Sequence, residues 1–274
     1  MKNKEKKTEL VSTGSAVTIF GYYQYPQNDK IIYSSVHYYA RNCPPPPDFS
    51  KGYVWRLYPE FDIFQSDING RKLRQLTGSW GYDAEGTVAE DGTKIIYTPL
   101  SGGDLDLWIM NPDGSDKTQI TDQLGYDGGA FFSHDGTKIV WRAFYPETDQ
   151  ETTYYKQLLV ENTIRPMSLQ IYVMDSDGEN KIKITNNEGA NFAPYFFTND
   201  NRVIFSSNMK DPKGRNFDLW AVDIDGNNLE QITTFSGFDG FPVFSPDGNH
   251  LVFSSNRNQE KPHDTNIFIC EWRN

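Results

Sequence analysis

Cysteine is scarce: Cys43 and Cys270 are the only two in 274 residues, too few for a disulfide framework or a multi-cysteine metal site. One bridge between them, or two unpaired thiols, both remain open. Positive charge is also short, with 26 Lys and Arg against 37 Asp and Glu; the net charge of -11 repels phosphate backbones and anionic lipid headgroups. No apolar run approaches the ~18 residues of a membrane helix. The start, MKNKEKKTELVSTGS, is basic but lacks the apolar stretch of a secretory signal, so residues 1–7 read as a disordered basic tail. Enzyme signatures are thin as well. There is no G-x-S-x-G, no H-E-x-x-H and no phosphate loop, and His37, His134, His250 and His263 share no common position. His134 and His250 read as surface residues beside Asp-Gly turns.

What the chain does have is aromatic side chains, 18 Phe, 16 Tyr and 6 Trp, interrupted by 22 Gly and 15 Pro. That mixture favours many short strands and tight turns over long helices. Stacking FDIFQSDING, LDLWIMNPDG, LQIYVMDSDG, FDLWAVDIDG and TNIFICEWRN makes Phe64, Trp108, Tyr172, Trp220 and Phe268 equivalent. The first four are followed at fixed distance by Gly70, Gly114, Gly178 and Gly226, then by Thr77, Thr121, Thr185 and Thr233. Next come Asp83, Asp127, Asn191 and Asp239, and then Tyr97, Trp141, Phe205 and Phe253.

Each unit therefore contains four strand-like pieces joined by Asp-Gly-type turns, the strongest short hairpin signal. Repeats of four antiparallel strands predict an all-β fold, a β-propeller of four-stranded blades, with five units counted in a single domain over 8–274. The last unit lacks a fourth strand. TELVST at 8–13 resembles one, with Thr13 equivalent to the repeat threonines and Ile19 at the Asp/Asn position, so an N-terminal strand is expected to close the ring. DSDGEN at 175–180 and DIDGNN at 223–228 read as hairpin turns, because they lack the ligand spacing of a calcium loop.

Two connections between second and third strands are long, about 36–60 and 146–168. In an up-and-down blade this connection emerges on the face where one blade hands over to the next, so the insertions and the Asp/Asn ring should share the channel mouth. Such faces commonly carry binding function. The first insertion holds Pro44 to Pro47 and the candidate interface residues Tyr53, Trp55, Arg56 and Tyr58, side chains that dominate interface hot spots unless they pack onto their own blade. The second reads as a short helix ended before Pro166.

Asp83, Asp127, Asn191 and Asp239 form the expected polar ring at the channel mouth. Its side chains either bind nearby backbone amides as Asx turns or face one another, where like charges raise each other's pKa unless a cation or basic peptide intervenes. In the second case Asp83, Asp127 and Asp239 are the candidate ligands for Ca2+ or another cation; no other cofactor is called for. Asp62, Asp106, Gln170, Asp218 and Asn266 are read as structural hydrogen-bonding residues within or between blades. A glycosidase would need two carboxylates, and Glu85 with Asp127 or Asp239 is the pair to consider.

FSHDGTKIV, FSPDGNHLVFSSNR, DLWIMNPDGSDKTQIT and DLWAVDIDGNNLEQIT resemble the repeats of the TolB-like propellers, and the resemblance spans 8–274. It implies a propeller, usually six-bladed, that serves as a protein-binding scaffold in the bacterial periplasm or outside the cell. Members of that family are often a module of a larger envelope protein or stand beside a peptidase domain. Five units fit either a five-bladed ring or a six-bladed relative lacking one blade, which would self-associate through its open edges. A chain complete as written, without a signal, would instead be cytoplasmic. The expectation is a non-enzymatic binder of a protein or peptide, with no nucleic-acid partner and no membrane insertion. An accessory or gating propeller of a hydrolase, or a small glycosidase, is the alternative.

Overall fold

The computed structural model describes residues 16–273, apart from 41, 46–47 and 262–263. In chain order, blade 1 comprises β1 (Thr18–Tyr23), β2 (Lys30–Ser35), a short crossing strand β3 (Trp55–Arg56), β4 (Asp62–Asp67) and β5 (Arg74–Gln75). Blade 2 follows with β6 (Asp83–Val88), β7 (Ile95–Ser101), the short β8 (Asp104–Leu105), β9 (Trp108–Met110) and β10 (Thr118–Gln119). Blade 3 contains β11 (Tyr126–Phe132), β12 (Lys138–Phe144), helix α1 (Asp149–Val160), a second crossing strand β13 (Thr163–Ile164), β14 (Gln170–Asp175) and β15 (Ile182–Lys183). Blade 4 is β16 (Asn191–Phe196), β17 (Arg202–Ser207), β18 (Asp218–Asp223) and β19 (Glu230–Gln231). Blade 5 is β20 (Asp239–Phe244), β21 (His250–Ser255) and β22 (Asn266–Glu271).

Within each blade neighbouring strands pair antiparallel in sequence order, and β8, running parallel to β11, joins blades 2 and 3. The repeated aromatics are direct cross-strand partners: Tyr33 opposite Phe64, Tyr97 opposite Trp108, Trp141 opposite Tyr172, Phe205 opposite Trp220 and Phe253 opposite Phe268. Such pairs stabilise a sheet beyond the area they bury. Blades then stack face to face. Ile32, Ile63 and Leu76 of blade 1 meet Ile95, Tyr97 and Met110 of blade 2, and Ile204, Leu219 and Ala221 of blade 4 meet Phe244, Leu251 and Phe253 of blade 5.

The repeat threonine has a definite task. Thr77 Oγ1 accepts from Ile63 N at 2.9 Å and donates to Asp62 Oδ1 at 3.1 Å, while Gln75 Nε2 reaches Asp62 Oδ2 at 2.8 Å. Thr121 does the same for Leu107 N and Asp106, Thr185 for Ile171 N and Gln170, and Thr233 accepts from Leu219 N. These bonds lie within blades and tie the outer strand to the third strand. Thr77→Val is expected to cost about 1–3 kcal/mol in a denaturant titration by leaving Ile63 N–H and Asp62 short of a partner, whereas Thr77→Ser retains most of the stability. Equal losses for valine and serine would rule out the hydroxyl as the cause.

The spacing that puts Ile19 in the ring is out by one residue. Thr18 lies opposite Ser35 as Asn191 lies opposite Ser207 and Asp239 opposite Ser255. The first hairpin is longer: Gln24 N bonds to Lys30 O, whereas the equivalent bonds run from Ala89 to Lys94 and from Ser133 to Lys138. TELVST, expected to complete the last blade, lies outside the described residues. Cys43 and Cys270 are free thiols. The helix ends at Val160, earlier than Pro166 requires, because the chain leaves it to form β13. Its start is set by a capping box in which Thr148 and Glu151 bond each other's backbone amides. Among the described residues no helix is long and apolar enough to cross a membrane.

Candidate functional site

Every inner strand carries the same β-bulge. Two residues after the ring position the backbone turns left-handed, at Phe20 (φ 54), Glu85 (φ 59), Gly129 (φ 59), Ala193 (φ 50) and Phe241 (φ 55). A bulge bends its strand and re-aims the side chain there. Because all five blades share it, this backbone strain belongs to the architecture and not to a single reactive site.

In blade 2 the bulged residue is Glu85. Its Oε2 accepts from Gly129 N at 2.7 Å, and its Oε1 is paired with Arg142 Nη2. Arg142 Nη2 also donates to Tyr126 Oη at 2.6 Å, and the Tyr126 hydroxyl lies 3.3 Å from Glu85 Oε2. Glu85, Tyr126 and Arg142 are all buried. Burial works to lower the pKa of Arg142, but Glu85 and Tyr126 outweigh it and hold the guanidinium above its ordinary value. Gly129 is required twice over: it has a left-handed φ, and a Cβ there would lie 1.8 Å from Arg142 Nη1.

Above this cluster the two insertions meet. β3 pairs antiparallel with β13, Arg56 opposite Thr163 and Trp55 opposite Ile164, so the connections of blades 1 and 3 form a strap over the channel mouth. The Trp55 ring lies 5.1 Å from the Arg142 guanidinium and edge-on to Tyr126 at 6.4 Å. Apolar residues from several blades pack beneath the strap, among them Val36, Leu57, Phe61, Tyr82, Leu105 and Phe192. A cavity of about 210 Å³ remains, bounded by Ile19, Phe20, Trp55, Tyr58, Tyr82 and Glu85.

No protein-family model and no curated protein sequence matches the chain. Solved structures do. A putative TolB from Agrobacterium tumefaciens superimposes with a TM-score of 0.66 at 17% identity, covering 93% of this chain and 77% of that one. The chain folds as a TolB-like β-propeller. TolB from Acinetobacter baumannii gives a TM-score of 0.61 at 16% identity over 80% of this chain and 49% of its own length. A chain of a nidogen/laminin complex gives 0.52 at 13% identity, covering 78% and 76%. At these identities the likeness establishes the fold.

On this TolB-like propeller the four ring residues are buried, Asp127 and Asp239 bound within their own blades and Asp83 and Asn191 bound to the preceding blade. Asp127 Oδ1 accepts from Trp141 Nε1 at 2.6 Å and from Tyr145 Oη at 2.5 Å; Asp239 is paired with Arg257; Asn191 Nδ2 donates to Leu169 O at 2.8 Å. Burial raises the Asp83 pKa to about 7, with Thr77 opposing it through a hydrogen bond, and raises Asp127 to about 6 against the hydrogen bonds of Tyr145 and Trp141. The ring therefore does not converge on a shared cation position. Among the described residues no three His, Cys, Asp or Glu side chains cluster as a metal site would require.

The named insertion residues divide. Trp55 is half-buried as the strap's contact with Arg142, and Tyr58 is half-buried with its hydroxyl donating to Pro45 O at 2.9 Å. Arg56 is exposed, and Tyr53 is 61% exposed, stacked on Phe49 at 6.1 Å. Sequence reasoning passed over Trp80, 68% exposed in the handover from blade 1 to blade 2, where it meets Tyr39 at 5.5 Å. It also passed over Arg142. Arg142 follows a repeat aromatic at the position where the other units have Ser34, Thr98, Ser206 and Ser254, and that lone charge was the available signal. His134 is no free turn residue: its Nδ1 lies 2.9 Å from Asp200 Oδ1, linking blades 3 and 4 on the opposite, hairpin face.

Proposed function

We propose that the chain is a non-enzymatic scaffold that binds a protein or peptide segment on the face bearing the strap. The observation that carries this reading is the exposed aromatic surface there: Tyr39 with Trp80 on one side, and Phe49, Tyr53 and Tyr154 on the other. Tyr and Trp offer large contact areas at small entropic cost, and exposed patches of this kind mark interaction sites on soluble proteins. The rigid strap and the ion pair beneath it support a preorganised surface. Fold-level likeness to a chain of a nidogen/laminin complex, itself a protein–protein assembly, is in keeping with a protein partner. The proposal retains the periplasmic or extracellular setting that the repeat resemblance implies. The hydrolase alternative draws no support from Glu85 or Asp127, both of which are buried and committed to internal hydrogen bonds.

Peptides selected from a random display library against the folded chain test the reading. Trp80→Ala and Tyr53→Ala are expected to weaken the selected binders about tenfold or more each, as hot-spot truncations do, with unchanged melting temperatures. Gln27→Ala, on the hairpin face, should leave binding intact. Binders insensitive to both insertion-face changes but lost on Gln27→Ala would move the site to the other end of the channel.

A further inference from the structure

Aromatic rings from blades 1 to 3 and the strap surround the cavity beneath β3 and β13: Phe20, Trp55, Tyr58, Phe61, Tyr82 and Tyr126. They meet one another edge to face, Tyr58 with Phe61 at 5.9 Å, Phe61 with Tyr82 at 6.0 Å and Trp55 with Tyr126 at 6.4 Å. A flat ring placed between such walls extends the same packing. Ile19 from β1 and Ile164 from the strap complete the apolar lining. Two of the bulged residues, Phe20 and Glu85, line the cavity as well; at Phe20 the left-handed backbone (φ 54) carries a bulky ring where blades 3 and 4 have Gly129 and Ala193. A strained backbone that aims an aromatic side chain into a cavity is a pointer to a site.

Volume and wall chemistry together select a ligand. An apolar cavity of about 150 Å³ accepts a benzene ring, so the volume of about 210 Å³ here has room for two fused rings. Water is poorly served, because Glu85 and Tyr126 are already bonded to Arg142 and Glu85 also to Gly129 N. Ile19, Phe20, Trp55 and Tyr58 are half-buried, so the cavity opens at the edge of the strap. Arg56 stands there on the cavity wall, exposed, its guanidinium 5.4 Å from the Tyr58 ring. Glu85, the other charged residue of the wall, is committed to Arg142, and the mouth therefore favours an anion. We propose that this cavity is a binding site for a small aromatic carboxylate, with its ring or fused ring pair among Phe20, Tyr82 and Tyr126 and its carboxylate on Arg56. Trp80 and Tyr53 do not line it, so the site is separate from the outer surface proposed for a protein partner.

Three probes that share one ring system separate shape from charge: indoleacetate, uncharged indole and cationic tryptamine. In titration calorimetry of the full chain the acid is expected to bind tightest, at submillimolar affinity, followed by indole and then tryptamine; that affinity is within reach of a ligand of this size. Arg56→Gln should weaken the acid about three- to fivefold, the reach of an exposed charge pair, and leave indole unchanged. Ile164→Phe, which fills the cavity from its roof, should abolish binding of both. Since that change can disturb the strap, nuclear Overhauser contacts from the indole protons of bound indoleacetate to the methyl groups of Ile19 and Ile164 in the unmodified chain are the companion measurement. The assignment is overturned by no binding of indoleacetate at millimolar concentration, by tryptamine binding as tightly as the acid, by an Arg56→Gln chain that binds the acid undiminished, or by contacts to other methyl groups in place of these two.

Discussion

Arg142→Met is expected to destabilise the protein by about 3–5 kcal/mol, the range for stranding one partner of a buried ion pair. The geometry explains why the loss is large. Glu85 is enclosed between blades 2 and 3, and without Arg142 its carboxylate retains a single short donor, Gly129 N at 2.7 Å, while the Tyr126 hydroxyl stands 3.3 Å away. An ionised carboxylate in that position must take up a proton, draw in water or open the blade junction. The double change Glu85→Gln with Arg142→Met removes both charges and keeps an acceptor for Gly129 N, so it should lie within about 1–2 kcal/mol of the parent; replacing a buried pair by neutral groups is often nearly neutral. Denaturant titrations of the four proteins form the cycle. A loss under 1 kcal/mol for Arg142→Met would show that water already supports Glu85. The single change should also loosen the strap, because Trp55 rests on the guanidinium; faster hydrogen exchange at 55–56 and 163–164 is the accompanying sign.

The pair also shows how far the residues alone could be read. Blade count, strand order and aromatic pairing were legible because each repeats five times, and a periodic signal survives ignorance of any one copy. Threonine 77 and its equivalents were visible as a pattern, although their bond to the third-strand amide was not. What failed to show was whatever breaks the period. The first hairpin's extra residue displaced the expected ring position from Thr18 to Ile19, a slip that assigns the side chains of β1 to the wrong face and leaves β2 in register. The bulge at Glu85 was hidden because four different residue types, Phe20, Glu85, Gly129 and Ala193, accept the same left-handed backbone in successive blades. The strap was legible as two insertions on one face; its pairing of Trp55 with Ile164, across more than 100 residues of chain, has no local signature. The aromatic face proposed for binding was legible only in part for a related reason. Tyr53 and Trp55 are neighbours in sequence, but one stacks outward on Phe49 and the other inward on Arg142.

Asp127→Asn should stabilise the protein at pH 8 and leave it nearly unchanged at pH 5. Burial raises the Asp127 pKa to about 6 from an ordinary 3.8, and it raises Asp62 to about 6 and Asp83 and Asp106 to about 7. A carboxyl whose folded pKa lies above its unfolded value binds its proton more tightly when folded. Its contribution is therefore full below the unfolded value and is lost as pH rises through the folded one, here between about pH 4 and pH 8. Turn carboxylates held below their ordinary range, such as Asp135 and Asp247 by the hydroxyls of Ser133 and Ser245, act in the opposite sense and lose their contribution only in stronger acid. Stability should then peak on the acidic side of neutrality and decline toward pH 8, an unusual profile for so acidic a chain. Blade 4 supplies the design for the amide: Asn191 occupies the equivalent position and donates Nδ2 to Leu169 O, whereas Asp127 Oδ2 has no partner among the described residues. An asparagine at 127 can keep the Trp141 and Tyr145 bonds on its oxygen and direct its nitrogen toward the Leu105 carbonyl, the counterpart of Leu169. With about 1.4 kcal/mol per pKa unit, the gain at pH 8 is about 1–3 kcal/mol, seen as a melting temperature higher by roughly 2–8 °C and a flatter pH profile. An equal loss of stability at both pH values would mean that Asp127 works as an anion, through its bonds to Trp141 and Tyr145, and that its burial costs the fold nothing.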